Sequence, residues 1–177
     1  MKPIIIAISG KSGCGNTTVS RLVAEALGLK FINYTFRALA AEKGLALADI
    51  LEKADKDPEW DRLLDTRQIE LARRGNCVIG SRLAMWLIPE ATLKVYLKAS
   101  QSARVNRIHQ REGGDKEALA RFTAERDTRD QKRYKEIYNL DTDDLSQAHL
   151  VIDTERWTPQ QISHIIVSAL GEIEVLL

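Results

Sequence analysis

The stretch Ile4-Ile5-Ile6-Ala7-Ile8-Ser9 runs directly into Gly10-Lys11-Ser12-Gly13-Cys14-Gly15-Asn16-Thr17-Thr18. Five apolar residues in six read as a buried strand, and three glycines follow within the next six residues. Val19, Leu22, Val23, Ala26 and Leu27 then recur at helical spacing, stopping at Gly28. Strand, glycine loop and helix N-terminus together make a phosphate-binding unit. Backbone N–H groups wrap an anion, and the helix dipole favours its negative charge. The pattern G-x-x-x-x-G-K-[ST] is met at Gly10, Gly15 and Thr17. Its lysine position holds Asn16, so the site lacks its usual cation. Backbone amides do most of the cradling, so the change bears on catalysis more than on binding.

The chain has 177 residues, with 26 Lys and Arg against 25 Asp and Glu for a net charge of +1. This length suits one domain with room for inserted lobes. So even a charge balance exerts no overall pull toward nucleic acid or an anionic membrane, and neither partner is expected. Two cysteines, Cys14 and Cys77, cannot make a disulfide framework, and three histidines show no metal-ligand spacing. Cys77 opens an apolar run and reads as core. Cys14 lies in the glycine loop, where a helix N-terminus is expected to lower its thiol pKa. The apolar opening is too short for a signal peptide or a membrane span, and no other run approaches ~18 apolar residues. The expectation is a soluble, cytoplasmic protein.

Strands and helices alternate along the rest of the chain. Lys30-Phe31-Ile32, Cys77-Val78-Ile79-Gly80, Leu93 to Leu97 and Leu150-Val151-Ile152 read as further strands. Asp57-Pro58 starts a helix that runs to Gly75, and Ser100 caps another over Gln101 to Arg111. Thr158 with Gln161 is a capping box opening the last helix, whose Ile162, Ile165, Ile166, Ala169 and Leu170 form one apolar stripe. This alternation predicts a three-layer α/β/α fold with a parallel sheet of about five strands. Ligands in such folds bind at the carboxyl ends of the strands. Gly10 to Thr18, Ser81-Arg82 and Asp153 should therefore line one edge.

Two charged helical segments, Tyr34 to Gly75 and Asp115 to Asn139, do not read as core and are expected as lobes over that edge. In the second, Arg126, Arg129 and Arg133 share one helix face with Asp130 beside them. Taken alone, the row reads as a solvated face laced by Glu125–Arg129 and Arg126–Asp130 pairs. Opposite a phosphate loop, the forked guanidinium groups make a natural clamp for phosphate oxygens.

With these pieces placed, the chain resembles nucleoside monophosphate kinases, most closely the short archaeal-type cytidylate kinases. The marks are ISGKSGCGNTT from Ile8, FRALAAEKG from Phe36, DTRQIELARRGNCVIGSRLAMW from Asp65, RDTRDQKRYKEIYNLD from Arg126, and DT-x-x-W-x-P from Asp153. The resemblance covers nearly the whole chain. It implies a P-loop core (1–33, 76–110 and 148–177), a monophosphate-binding insert (34–75) and a helical lid (111–139). It implies transfer of the γ-phosphoryl group of ATP, with Mg²⁺, to CMP or dCMP. Gly10, Lys11, Ser12, Gly13, Cys14, Gly15, Asn16, Thr17 and Thr18 would then cradle ATP, with Thr17 reaching Mg²⁺. Arg107 would stack on adenine and Arg111 meet an ATP phosphate. Arg37, Arg67 and Arg82 would hold the acceptor phosphate, Asp130 its ribose, and Arg126 and Arg133 the phosphoryl group in flight. A monomer is expected.

Three departures bear on this. Asn16 replaces the P-loop lysine, as the archaeal-type branch also tends to do. Asn33-Tyr34 replaces the small residues that usually precede the Phe-Arg pair. Leu83 stands where longer bacterial cytidylate kinases carry an aspartate near the base. The alternatives are a P-loop kinase for another small acceptor and a nucleotide-binding regulator with weak turnover.

Overall fold

Strand β1 (Ile5–Ser9) lies at the centre of a sheet of five parallel strands in the order β2-β3-β1-β4-β5. The structure is a computed structural model describing residues 3–175. The other strands are β2 (Lys30–Ile32), β3 (Cys77–Gly80), β4 (Leu93–Lys98) and β5 (Leu150–Asp153). Ile6 stands in register with Val78 on one side and Leu93 on the other. Whichever way a β1 side chain points, it meets a packed layer. Ile5 and Ala7 join Ile79, Met85 and Tyr96, while Ile6 and Ile8 join Val19, Val23, Val95 and Ile166. Burial on both faces is why the strand is a continuous apolar run. Each buried isoleucine of β1 contributes ~1.5–3 kcal/mol of transfer free energy.

Helices α1 (Asn16–Leu27) and α8 (Pro159–Val175) pack together on one face of the sheet. The other face takes α4 (Glu59–Ala72), the short α5 (Ala84–Leu87) and the end of α7 (Lys116–Tyr138). The sequence assigned no helix to Ala84–Leu87; four residues are too few to show a period. Helices α2 (Phe36–Lys43) and α3 (Leu47–Lys56) pack with α4 around their own small cluster of Leu39, Ala40 and Ile50. Helix α6 (Gln101–Glu112) begins at Ser100, whose hydroxyl accepts from the Ala103 amide. The capping box forms as read: Thr158 N–H donates to Gln161 Oε1 at 2.9 Å, and Gln161 N–H to Thr158 Oγ1 at 3.3 Å.

Because every strand runs the same way, the turns after Ser9, Gly80 and Asp153 emerge at one edge of the sheet. Among the described residues no helix is long and apolar enough to cross a membrane.

Candidate active site

The glycine loop and the N-terminus of α1 form the floor of a cavity of about 940 Å³ above that edge. Gly13 has φ +84, and a Cβ there would lie 2.9 Å from Cβ of Arg104, so only glycine lets the loop pass this arginine. Helix α1 begins at Gly15 with no side-chain cap. The N–H groups of its first turn are therefore left for a ligand. Nδ2 of Asn16 donates to the Gly10 carbonyl at 2.7 Å, tying the loop closed from inside. Its Oδ1 is buried, with no hydrogen-bond partner among the described residues.

Helix α6 braces the loop from outside. Arg104 Nη1 donates to the Ser12 carbonyl at 3.2 Å and Arg107 Nη1 to that of Gly13 at 3.3 Å. Arg107 also holds the Thr154 hydroxyl at 2.8 Å and carbonyl at 2.7 Å. Arg107, Arg111, Trp157 and Pro159 make up one end of the cavity wall. Arg111 turns its guanidinium to Glu112.

Arginines face the loop from the strand edge and from α7. Arg82 forms an ion pair with Asp130, Asp130 also meets Arg133 at 3.3 Å, and Arg133 reaches Asp61 of α4 at 3.4 Å. The last contact lacks hydrogen-bond geometry, leaving Asp61 Oδ2 without a formal partner. The pairs read from the helix periodicity, Glu125–Arg129 and Arg126–Asp130, give way to these longer-range ones. Burial works against the Arg82 charge, but Tyr134 and Asp130 beside it hold its pKa above the ordinary arginine value. Arg126 differs. Among the described residues no carboxylate pairs with it, and burial, reinforced by nearby Arg82, lowers its pKa. A half-buried, unpaired cation beside a phosphate loop is poised for an anion.

Tyr34, Phe36, Leu51, Leu64, Asp65 and Gln68 also line the cavity. Asp65 is buried and accepts from the Tyr138 hydroxyl at 2.6 Å. Burial pushes its pKa up to about 6, against the lowering effect of that hydrogen bond. Asp61 is pushed up for the same first reason.

The structure therefore gathers residues 10–18, Arg82, Arg107, Arg111, Arg126, Arg129, Asp130 and Arg133 around one cavity. Arg37 and Arg67 are not part of its wall. Arg37 is exposed on α2, and Arg67 is held by Glu42 at 3.4 Å and Glu70 at 3.2 Å. The expectation of a lowered Cys14 thiol pKa is corrected. The thiol is 2 % exposed, packed with the core, and burial raises its pKa despite Arg104 and Arg107 nearby. The loop turns this side chain inward, against the core. Sequence reasoning missed Asp61, Asp65 and Gln68, whose i, i+4, i+7 spacing on a helix was the available signal. It also missed the exposed Phe122 in the cavity wall and, behind the loop, Arg104 paired with Asp127.

Comparison with known proteins sharpens this picture. Residues 5–156 match the model of the cytidylate kinase-like family. The chain is 46% identical over 165 residues to "Cytidylate kinase 2" of Borreliella burgdorferi, covering 91% of this chain and 92% of that one. It is 39% identical over 173 residues to "Cytidylate kinase" of Pyrococcus horikoshii, covering 97% and 90%. Among solved structures, a shikimate kinase from Acinetobacter baumannii matches with a TM-score of 0.65 at 19% identity, covering 97% of this chain and 94% of that one, a likeness of fold alone. With this match across its strands, phosphate loop and arginine helix, the chain belongs to the cytidylate kinase-like family.

Proposed function

We propose that the protein transfers the γ-phosphoryl group of ATP to CMP or dCMP, giving ADP and the corresponding diphosphate. One observation supports this most. A phosphate loop with free helix amides shares a single cavity with Arg82, Arg126 and Arg133, which enter from two other elements. A site for one nucleotide needs the loop; a site for two phosphate chains meeting end to end needs cations on the far side as well.

Transfer between two phosphates passes through a loose transition state, and the acceptor oxygen is already anionic. No general base is required, only positioning and charge neutralisation. We assign the donor nucleotide to the loop and to the end formed by Arg107, Arg111 and Trp157. The acceptor phosphate falls to Arg82 and Arg133, and the group in flight to Arg126. Before phosphates arrive, Asp130 and Asp61 hold Arg82 and Arg133 in place. A phosphate can then replace a carboxylate at each guanidinium without leaving a buried charge unpaired.

Thr17, exposed at the head of α1, gives the cavity a hydroxyl, and Ser81 Oγ lies buried in its wall without a partner. Such a donor set, hydroxyls without a carboxylate cage, suits Mg²⁺ held largely by substrate phosphates and water. Thr17 is the residue we assign to it. When bound, Mg²⁺ neutralises charge developing between the β- and γ-phosphates.

We read residues 34–75 as the lobe holding the monophosphate and 111–139 as the lid. A coupled assay of ADP release across CMP, dCMP, UMP, AMP, GMP and shikimate tests the reading. Turnover highest with CMP or dCMP is expected; a preference for a non-nucleotide acceptor overturns it.

A further inference from the structure

Helix α4 presents Asp61, Asp65 and Gln68 to the cavity on one face, over a rise of about 10 Å. Asp61 turns to Arg133, at the phosphate end. Asp65 and Gln68 lie further along, where Tyr34, Phe36, Leu51 and Leu64 supply apolar walls. Such a slot suits the flat face of a base, and its polar end decides which base.

The hydrogen-bonding state of that end is fixed from behind. The Tyr34 carbonyl can only accept, so the atom of Gln68 that meets it, at 2.7 Å, is Nε2. The other end of the amide is then Oε1, an acceptor. Tyr138 donates to Oδ2 of Asp65 at 2.6 Å, leaving Oδ1 as a second acceptor. An ionised carboxylate accepts only. Cytosine carries an exocyclic amino group with two hydrogens. Uracil carries a carbonyl oxygen at the same corner, which would set lone pairs against lone pairs.

We propose that Asp65 and Gln68 are the specificity residues of this cavity, jointly accepting the two hydrogens of the exocyclic amino group on the acceptor's base. This rests on the reading of the cavity as a nucleoside monophosphate site. It accounts for a buried carboxyl group in a helix that gains nothing in packing from it. It also supplies an acidic group for the base where Leu83 offers none.

The test compares kcat/KM for CMP and UMP, with ATP, in wild type, Asp65→Asn and Gln68→Met at pH 8. Wild type should prefer CMP by on the order of 100-fold or more, since a site built to pair a donor strands its acceptors against an analogue lacking it. In Asp65→Asn the new amide can donate to the uracil carbonyl, so the CMP-to-UMP ratio should fall at least tenfold, with UMP holding or gaining. Gln68→Met should lower CMP alone and reduce the ratio several-fold. A merely structural role would depress both substrates together. Ratios unchanged in both folded variants overturn the proposal, as does the absence of CMP preference in wild type. Calorimetric titration of CMP and UMP without ATP reads the same ratio without turnover. If no monophosphate is phosphorylated, the proposed activity fails, while the base-reading pair still stands or falls on the binding ratio.

Discussion

Arg104 and Asp127 form a two-pronged ion pair between α6 and α7, with Nη2–Oδ2 at 2.5 Å and Nη1–Oδ1 at 3.3 Å. The same Nη1 holds the Ser12 carbonyl of the phosphate loop, and the arginine is 4 % exposed. One buried guanidinium therefore joins the loop to α7, at Asp127 beside Arg126. Removing one partner strands a buried charge, so Asp127→Ala should lower unfolding free energy by about 3 kcal/mol. The pair Arg104→Met with Asp127→Leu should recover much of that loss. Urea denaturation of the singles and the double checks this; additive losses would contradict a coupled pair.

The same contact divides α7. From the sequence, the charges of residues 111–135 are expected to lack partners until phosphates arrive. Asp127, Asp130 and Arg133 are instead paired within the fold, and Tyr134 and Ile137 are buried. Motion should be confined to the segment from Gly113-Gly114 to about Arg126. Hydrogen exchange there should slow when ATP and CMP bind together, while residues 127–138 are protected throughout. Equally fast exchange across both halves without ligand would refute this division.

Something must supply the charge that Asn16 lacks. Lys11 Nζ is half-buried and turned to Asp143 at 3.5 Å, whereas Arg126 faces the cavity with no carboxylate partner among the described residues. Arg126→Ala should cut turnover by ~100-fold or more, a charge-assisted contact of ~3 kcal/mol, and Lys11→Ala by less than tenfold. Steady-state kinetics of the two variants decide between them. A crippled Lys11→Ala would move the missing charge to the loop.

Asp65 makes stability fall as pH rises. Its folded pKa of about 6 lies above the ordinary 3.8, so the folded state binds the proton more tightly. Tyr138 donates to it, while Asp61 opposes and Arg133 favours its charge. Its contribution is therefore intact below about pH 4, declines between pH 4 and 6, and is fully lost above, a change of about 3 kcal/mol. Asp65→Asn should remove this slope and raise stability at pH 8 by about 1–3 kcal/mol, read from melts at pH 4.5, 6 and 8. A variant with the wild-type slope would place the titration elsewhere.

The sheet was legible in the sequence because parallel strands buried on both faces leave continuous apolar runs, as at Ile4 to Ile8 and Leu93 to Leu97. The loop was legible because its glycines serve backbone geometry. The partners of charged side chains were not. Asp130 reads as an i, i+4 partner of Arg126, yet it pairs with Arg82, 48 residues away. Asp65 and Gln68 fall in a charged helical segment that does not read as core, because only tertiary packing buries them. Cys14 shows the same limit, since sequence places it in the loop but not which way it turns. Arg37 and Arg67 carry the right chemistry for a phosphate, but the fold sets them outside the cavity wall.

On the proposed function, ATP passes its γ-phosphoryl group directly to CMP within one cavity. The measurement is a reaction of γ-³²P-labelled ATP with CMP and Mg²⁺, with products separated by chromatography. The label should appear in CDP at a rate matching ADP release, with little in inorganic phosphate because the closed site keeps water from the phosphoryl group. Label released as inorganic phosphate, or ATP left intact while CMP is bound, would contradict the account.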